Sequence, residues 1–298
     1  MGTFLGHFVP GLAFTILGLW HTINTIRSYY QKGLTNFVSR FWYPSNNSLL
    51  KFKELQLVLL LLFSLLAIVL QVLDFPILHL FFNLINFEHA TMFLHLAIFA
   101  GFALIAELTQ LSESVSGVIG IMVMSVFGQE LFLLHFHSTD HVGLEGQYHE
   151  LLQLIVLISL IATIATTMFP TSFPAALVLS ISVVFQGCWF VNMGFMLWVP
   201  KFVPQGCFMQ LDKATSSEMV HGTVACASPD ADIRARALAN LQFSWILAGI
   251  LMVTGFFCLV FSRKGTPRVR QVTAYEQLQS RTSDSPVTVD CFKQAIDV

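Results

Sequence analysis

Leu55-Gln-Leu-Val-Leu-Leu-Leu-Leu-Phe-Ser-Leu-Leu-Ala-Ile-Val-Leu-Gln-Val-Leu73 runs for nineteen residues without a charged side chain. A hydrocarbon core about 30 Å thick needs roughly 20 residues of helix to cross it, and only a helix satisfies its own backbone there. The stretch therefore reads as a membrane span. Being almost purely aliphatic, it should face lipid over much of its circumference.

Comparable apolar runs occur at 5–27, 88–108, 115–137, 147–169, 175–199 and 241–262, so the sequence predicts an all-α, polytopic membrane protein with a bundle of about seven transmembrane helices over 1–262. The whole composition agrees: 55% hydrophobic and 11% charged residues, with a mean hydropathy of +0.71, remove the chain from the soluble class. Fifteen basic residues against seventeen acidic ones give no basic surface of the kind nucleic acid requires. The run from Phe4 lacks a basic segment before it and a small-residue cleavage site after it, which predicts a retained helix. The first, third, fourth and sixth runs carry Gly, His, Glu, Gln and Asn and are expected to line the bundle interior.

Orientation follows from the cations. Arg27, Lys32, Arg40, Lys51 and Lys53 fall between the first two spans, and Arg263, Lys264, Arg268, Arg270, Arg281 and Lys293 follow the last. With the N-terminus outside or lumenal, these eleven of the fifteen are cytoplasmic, and Lys201, Lys213, Arg234 and Arg236 are not. The same topology puts Cys207 and Cys226 in one long outer loop, where they are disulfide candidates, and leaves the sequon at Asn46 cytoplasmic and unmodified. From 263 to 298 the chain is polar and reads as a mostly disordered cytoplasmic tail. Within it Tyr275-Glu-Gln-Leu278 has the Tyr-x-x-apolar form read by trafficking adaptors. Trp20, Trp42 and Trp198 are expected as interface anchors.

Ionisable groups concentrate between Gln129 and His149, a stretch that holds four of the ten histidines. Glu130 and His137 are seven apart, on one helix face, with Glu130 about two turns deeper, so an ionised carboxylate there needs a partner, a metal or a proton. His137, His141, Glu145 and His149 repeat every four residues, but Ser-Thr-Asp140, Gly143 and Gly146 predict a break into a short outer loop. His7, His89, Gln186 and Asn192 fall at the same membrane level under this topology. Several imidazoles with a carboxylate suit zinc or another divalent transition metal. The first ligand set is His89, His137, His149 and Glu130; His7, His141 and Glu145 form the second. Gln186 and Asn192 are read as polar interior residues, while His21, His79, His95, His221 and Glu107 are read as structural.

Taken together, the motifs resemble a known family. Met1-Gly-Thr-Phe-Leu-Gly-His7-Phe-Val-Pro10-Gly11 leading to Gly18-Leu-Trp20, His89-Ala-Thr-Met, Glu130 with His137 and His149, and Gln186-Gly-Cys-Trp189-Phe followed by Gly194-Phe195 are similar to the transmembrane protein 45 family, also called domain of unknown function 716. His137-Ser-Thr-Asp-His141-Val-Gly-Leu-Glu145-Gly with Asn240-Leu-Gln-Phe-Ser-Trp245 resembles its plant branch. The resemblance implies a multi-pass protein of the endomembrane system or plasma membrane whose biochemical activity is unsettled.

Three functions are compatible with these residues. One is a membrane protein without assigned activity that acts through adaptors at its tail. A second, by analogy with other seven-helix zinc proteins, is a zinc-dependent hydrolase of lipid amides with Glu130 or Asp140 as general base. The third is a metal-ion or proton transporter, which needs polar groups continuing to the inner face.

Overall fold

The structure, a computed structural model, describes residues 3–33, 35–44, 53–74, 79–80, 84–136, 143–209 and 224–265. Asn46, His137, Asp140, His141, His221, Tyr275 and Leu278 lie outside the described residues. The helices are α1 (Phe4–Lys32), α2 (Leu55–Val72), α3 (Leu84–Leu108), α4 (Ser116–Phe136), α5 (Gly143–Met168), α6 (Phe173–Trp198) and α7 (Pro229–Gly265). Two small antiparallel hairpins join them, β1 (Leu73–Asp74) with β2 (His79–Leu80), and β3 (Cys207–Met209) with β4 (Val224–Cys226). Among the described residues, seven helices are long and apolar enough to cross a membrane.

The core is built on α6, which packs against α1, α5 and α7. Its contact with α1 is a backbone-to-backbone approach. A Cβ on Gly18 would lie 2.5 Å from the Val184 amide nitrogen, and one on Gly187 would overlap the Thr15 amide. Without a hydrophobic force between helices in lipid, such close approach is what van der Waals attraction needs. On the other side of α6, Ser159 donates to Ser182 at 2.9 Å across the α5–α6 seam. Trp189, Tyr148, Leu152, Ile155, Met193 and Leu197 are fully buried around it.

Two expectations about helix placement need correction. α5, outside the four runs expected to line the interior, buries Tyr148, His149, Ser159, Thr163 and Thr166, whereas α1 hides chiefly the stripe that meets α6. Polar content alone misled because the α5 hydroxyls of Thr163 and Thr166 donate to the carbonyl one turn back and that of Ser159 donates to Ser182, so all three are at ease in a helix core. α2, in contrast, exposes Leu59, Leu62, Leu65, Leu66, Val69 and Leu70, as its aliphatic sequence requires.

α7 also begins at Pro229 rather than near 241. The first three turns are helical because the Ser228 hydroxyl accepts from the Ala231 amide at 3.3 Å, Pro229 suits a first helical position, and Asp230 and Asp232 complement the positive end of the dipole. Arg236 pairs with Asp232 one turn away at 2.8 Å, and Ala231, Ala235 and Ala239 supply a buried stripe. Arg234 and Arg236 thus belong to a helix extension and not to a loop.

Candidate polar site at the hairpin end of the bundle

The C-terminal ends of α4 and α6, the N-terminal ends of α1, α5 and α7, and the β3–β4 hairpin lie at one end of the bundle. Cys207 and Cys226 face each other in the hairpin register and are joined by a disulfide. β4 packs on α5 and α7, so the covalent clip sits over the mouths of these helices.

Beneath it, two histidines come together. Thr3 caps α1 by accepting from the Gly6 amide at 3.0 Å, which starts the helix where His7 lands on its α6-facing side. The His7 ring lies 4.3 Å from the Trp198 ring and 6.1 Å from that of His149, edge to face, with both histidines buried. Each ring is held the same way. His7 Nδ1 is 3.1 Å from the Thr3 carbonyl oxygen, and His149 Nδ1 is 2.9 Å from that of Glu145. A carbonyl oxygen only accepts, so both Nδ1 atoms carry a proton. Trp198, expected as an interface anchor, is a wall of this site, and Trp42 is buried in the core; Trp20 is partly exposed.

Further along α6, the Gln186 amide donates to the Glu130 carboxylate across the α4–α6 seam, with both residues buried. The Gln186 carbonyl oxygen, Oε1, is buried without a hydrogen-bond partner among the described residues. Next to this pair runs a second network. Gln242 Oε1 accepts from the Tyr148 hydroxyl at 2.7 Å and from the Asn192 amide at 3.0 Å, tying α7 to α5 and α6. The Trp189 indole donates to the Tyr148 carbonyl at 3.0 Å. Apart from Gln186 Oε1, the polar groups of these two sets partner one another within each set, which offsets the cost of placing them in hydrocarbon.

Of the sequence candidates, the structure brings together His7 with His149, Glu130 with Gln186, Asn192 with Gln242, and Cys207 with Cys226. Glu145 is buried one turn before His149. His89 is half-buried in the first turns of α3. Among the described residues, no group of three or more His, Cys, Asp or Glu side chains is gathered closely enough to hold a metal. Sequence reasoning missed Tyr148 and Gln242, although a lone glutamine in an apolar span was the available signal for the latter. It also treated His21 as structural; the ring meets Tyr43 edge-on at 4.9 Å, with its buried Nδ1 unpartnered among the described residues.

Residues 116–259, from the start of α4 to within α7, match the sequence model of a family of unknown function (DUF716), the domain of the transmembrane protein 45 family. The resemblance to the family read from the sequence is borne out over that segment, without distinguishing its plant branch.

Proposed function

We propose that this multi-pass membrane protein, built around a domain of unknown function 716, binds a divalent transition metal ion such as zinc in the polar core at its hairpin end. The observation that carries the reading is the His7–His149 pair. Metal-bound histidines nearly always donate their other ring N–H to an oxygen acceptor, which fixes the tautomer and aims the basic nitrogen. Both rings here do so through Nδ1, toward Thr3 and Glu145. Two imidazoles on one zinc ion, each with nitrogen about 2.0–2.1 Å from it, keep their ring centres roughly 5–6 Å apart, so these rings, at 6.1 Å, would close slightly on binding it.

In this reading His149 and His7 are ligands, with His137 or His89 completing the set. Glu130, hydrogen-bonded to Gln186, lies deeper and supplies compensating negative charge. No reaction is assigned to the site. The bundle is oriented with the hairpin end outside or lumenal, an arrangement supported by the excess of cations at the opposite end. Elemental analysis of the zinc-loaded, desalted protein tests the reading. Loss of an outer partner alone typically lowers metal affinity about 10- to 100-fold, so His7→Ala and His149→Ala should lower it at least that much, while His95→Ala should not. Retention of no metal by the wild-type protein would leave the tail-directed adaptor function as the better account.

A further inference from the structure

Near the hairpin end, α7 is tied to its neighbours by Asn240, Gln242 and Phe243. Asn240 bonds Gln147, Gln242 bonds Tyr148 and Asn192, and the Phe243 ring lies 4.6 Å from that of Phe185 and 5.3 Å from that of Trp189. Further along the helix, Ile246, Gly249, Ile250, Val253, Thr254 and Phe257 share a single face by their spacing of three and four. That face is one wall of a groove of about 270 Å³ between α7 and the α1–α6 pair.

The facing walls come from α1, between Thr15 and Ile23, and from Val184 and Cys188 of α6. The close approach of those two helices at Gly18 and Gly187 forms the floor. At Gly249 a Cβ would meet nothing within 4 Å, so the space is open where α7 crosses it. No charged side chain lines the groove. The Thr15 and Thr22 hydroxyls donate to the Gly11 and Gly18 carbonyls of their own helix at 2.8 Å each, so they ask nothing of an occupant.

At about 1.5 Å per residue, Thr15 to Ile23 and Ile246 to Phe257 give a length of roughly 12–17 Å, so the volume of about 270 Å³ corresponds to a mean cross-section of about 20 Å². One extended hydrocarbon chain has that width. An α-helix of a second copy, about 10–12 Å across, is several times too broad, and fused sterol rings are too broad as well. All three helices are long and apolar enough to cross a membrane, which makes hydrocarbon the medium at this level. No hydrophobic force draws a chain out of lipid, so contact area decides where it stays. A chain on the outer face of α2 touches one helix, whereas a chain here touches three and gains dispersion contacts with each.

We propose that the groove among α1, α6 and α7 is a binding site for one acyl chain of a membrane phospholipid, held there in preference to the surrounding bilayer and completing the packing of α7 on the bundle. The site involves none of the residues of the histidine pair and does not depend on it.

The test uses the full-length protein in nanodiscs of phosphatidylcholine, a small fraction of which carries a diazirine in mid-chain. After irradiation, peptide mass spectrometry should find adducts several-fold denser on the groove residues of α1 and α7 than on Leu59, Leu62, Leu66 and Leu70, which α2 exposes without a groove. Gly249→Leu and Gly249→Phe, plugs of increasing size, should reduce groove labelling in that order and leave α2 labelling unchanged. After exchange into a steroid-based detergent, too broad to replace a chain, the wild-type protein should retain one phospholipid per chain in native mass spectrometry and Gly249→Phe none. Even labelling of the groove and α2, displacement of the groove adducts by a sterol, or equal lipid retention by the plugged variants overturns the proposal.

Discussion

His7, in the second turn of α1, and His149, in the second turn of α5, meet edge to face with ring centres 6.1 Å apart. The two helices do not share an extensive seam, and it is α6 that brings their histidines together, with Trp198 and Phe190 as the flanking walls. Both rings carry a proton on Nδ1 for the same reason, a carbonyl one turn back along their own helix.

The Glu130–Gln186 hydrogen bond joins α4 to α6 in the buried half of the bundle. Removing one partner of a buried hydrogen bond leaves the other unsatisfied, at about 1–3 kcal/mol. Glu130→Leu and Gln186→Leu should each lower the unfolding free energy in detergent by that amount. The double variant should cost clearly less than the two together. Strict additivity in that cycle would mean the two side chains do not interact.

Close backbone packing of α1 on α6 makes a sharper prediction about size. At Gly187 even a methyl group meets the Thr15 backbone, so the first carbon added already forces the helices apart. Gly187→Ala should destabilise the protein by about 1–3 kcal/mol, whereas Gly249→Ala, with open space around it, should be neutral or slightly stabilising. Thermal unfolding of the two variants, side by side, checks this.

The disulfide closes a loop with a sequence separation of 19, for which loop-closure entropy gives roughly 3 kcal/mol. In denatured, unreduced protein Cys207 and Cys226 should resist alkylation, and reduction should release both. Cys207→Ser should lower stability by about 2–4 kcal/mol. Full alkylation before reduction would contradict the pairing.

Orientation is testable with glycans. A sequon introduced between β3 and β4, within 210–223, should be glycosylated in microsomes, while the natural one at Asn46 should not. A glycan on Asn46 would invert the bundle.

The spans were legible in the sequence because hydrocarbon imposes a length and a polarity that few other environments demand, and Leu55 to Val72 meets both without ambiguity. The early start of α7 was not, since Ala231, Ala235 and Ala239 bury a stripe among charged neighbours and the stretch carries no apolar run. At the site, Glu130, Gln186, Asn192, His7 and His149 could be named, because a polar side chain in an apolar span is conspicuous. Their partners could not be read. Gln186 reaches Glu130, and Asn192 reaches Gln242, through the rotation of α6 against α4 and α7, and packing sets that rotation.

The metal reading is most directly tested by X-ray absorption at the zinc edge on loaded wild-type protein and on His149→Cys. The wild-type spectrum should show a shell of nitrogen and oxygen at about 2.0–2.1 Å with imidazole outer scattering, and the variant should gain sulfur at about 2.3 Å. A variant spectrum that retains zinc with no sulfur in its first shell would show that His149 does not bind the ion, and the account of this site would fall with it.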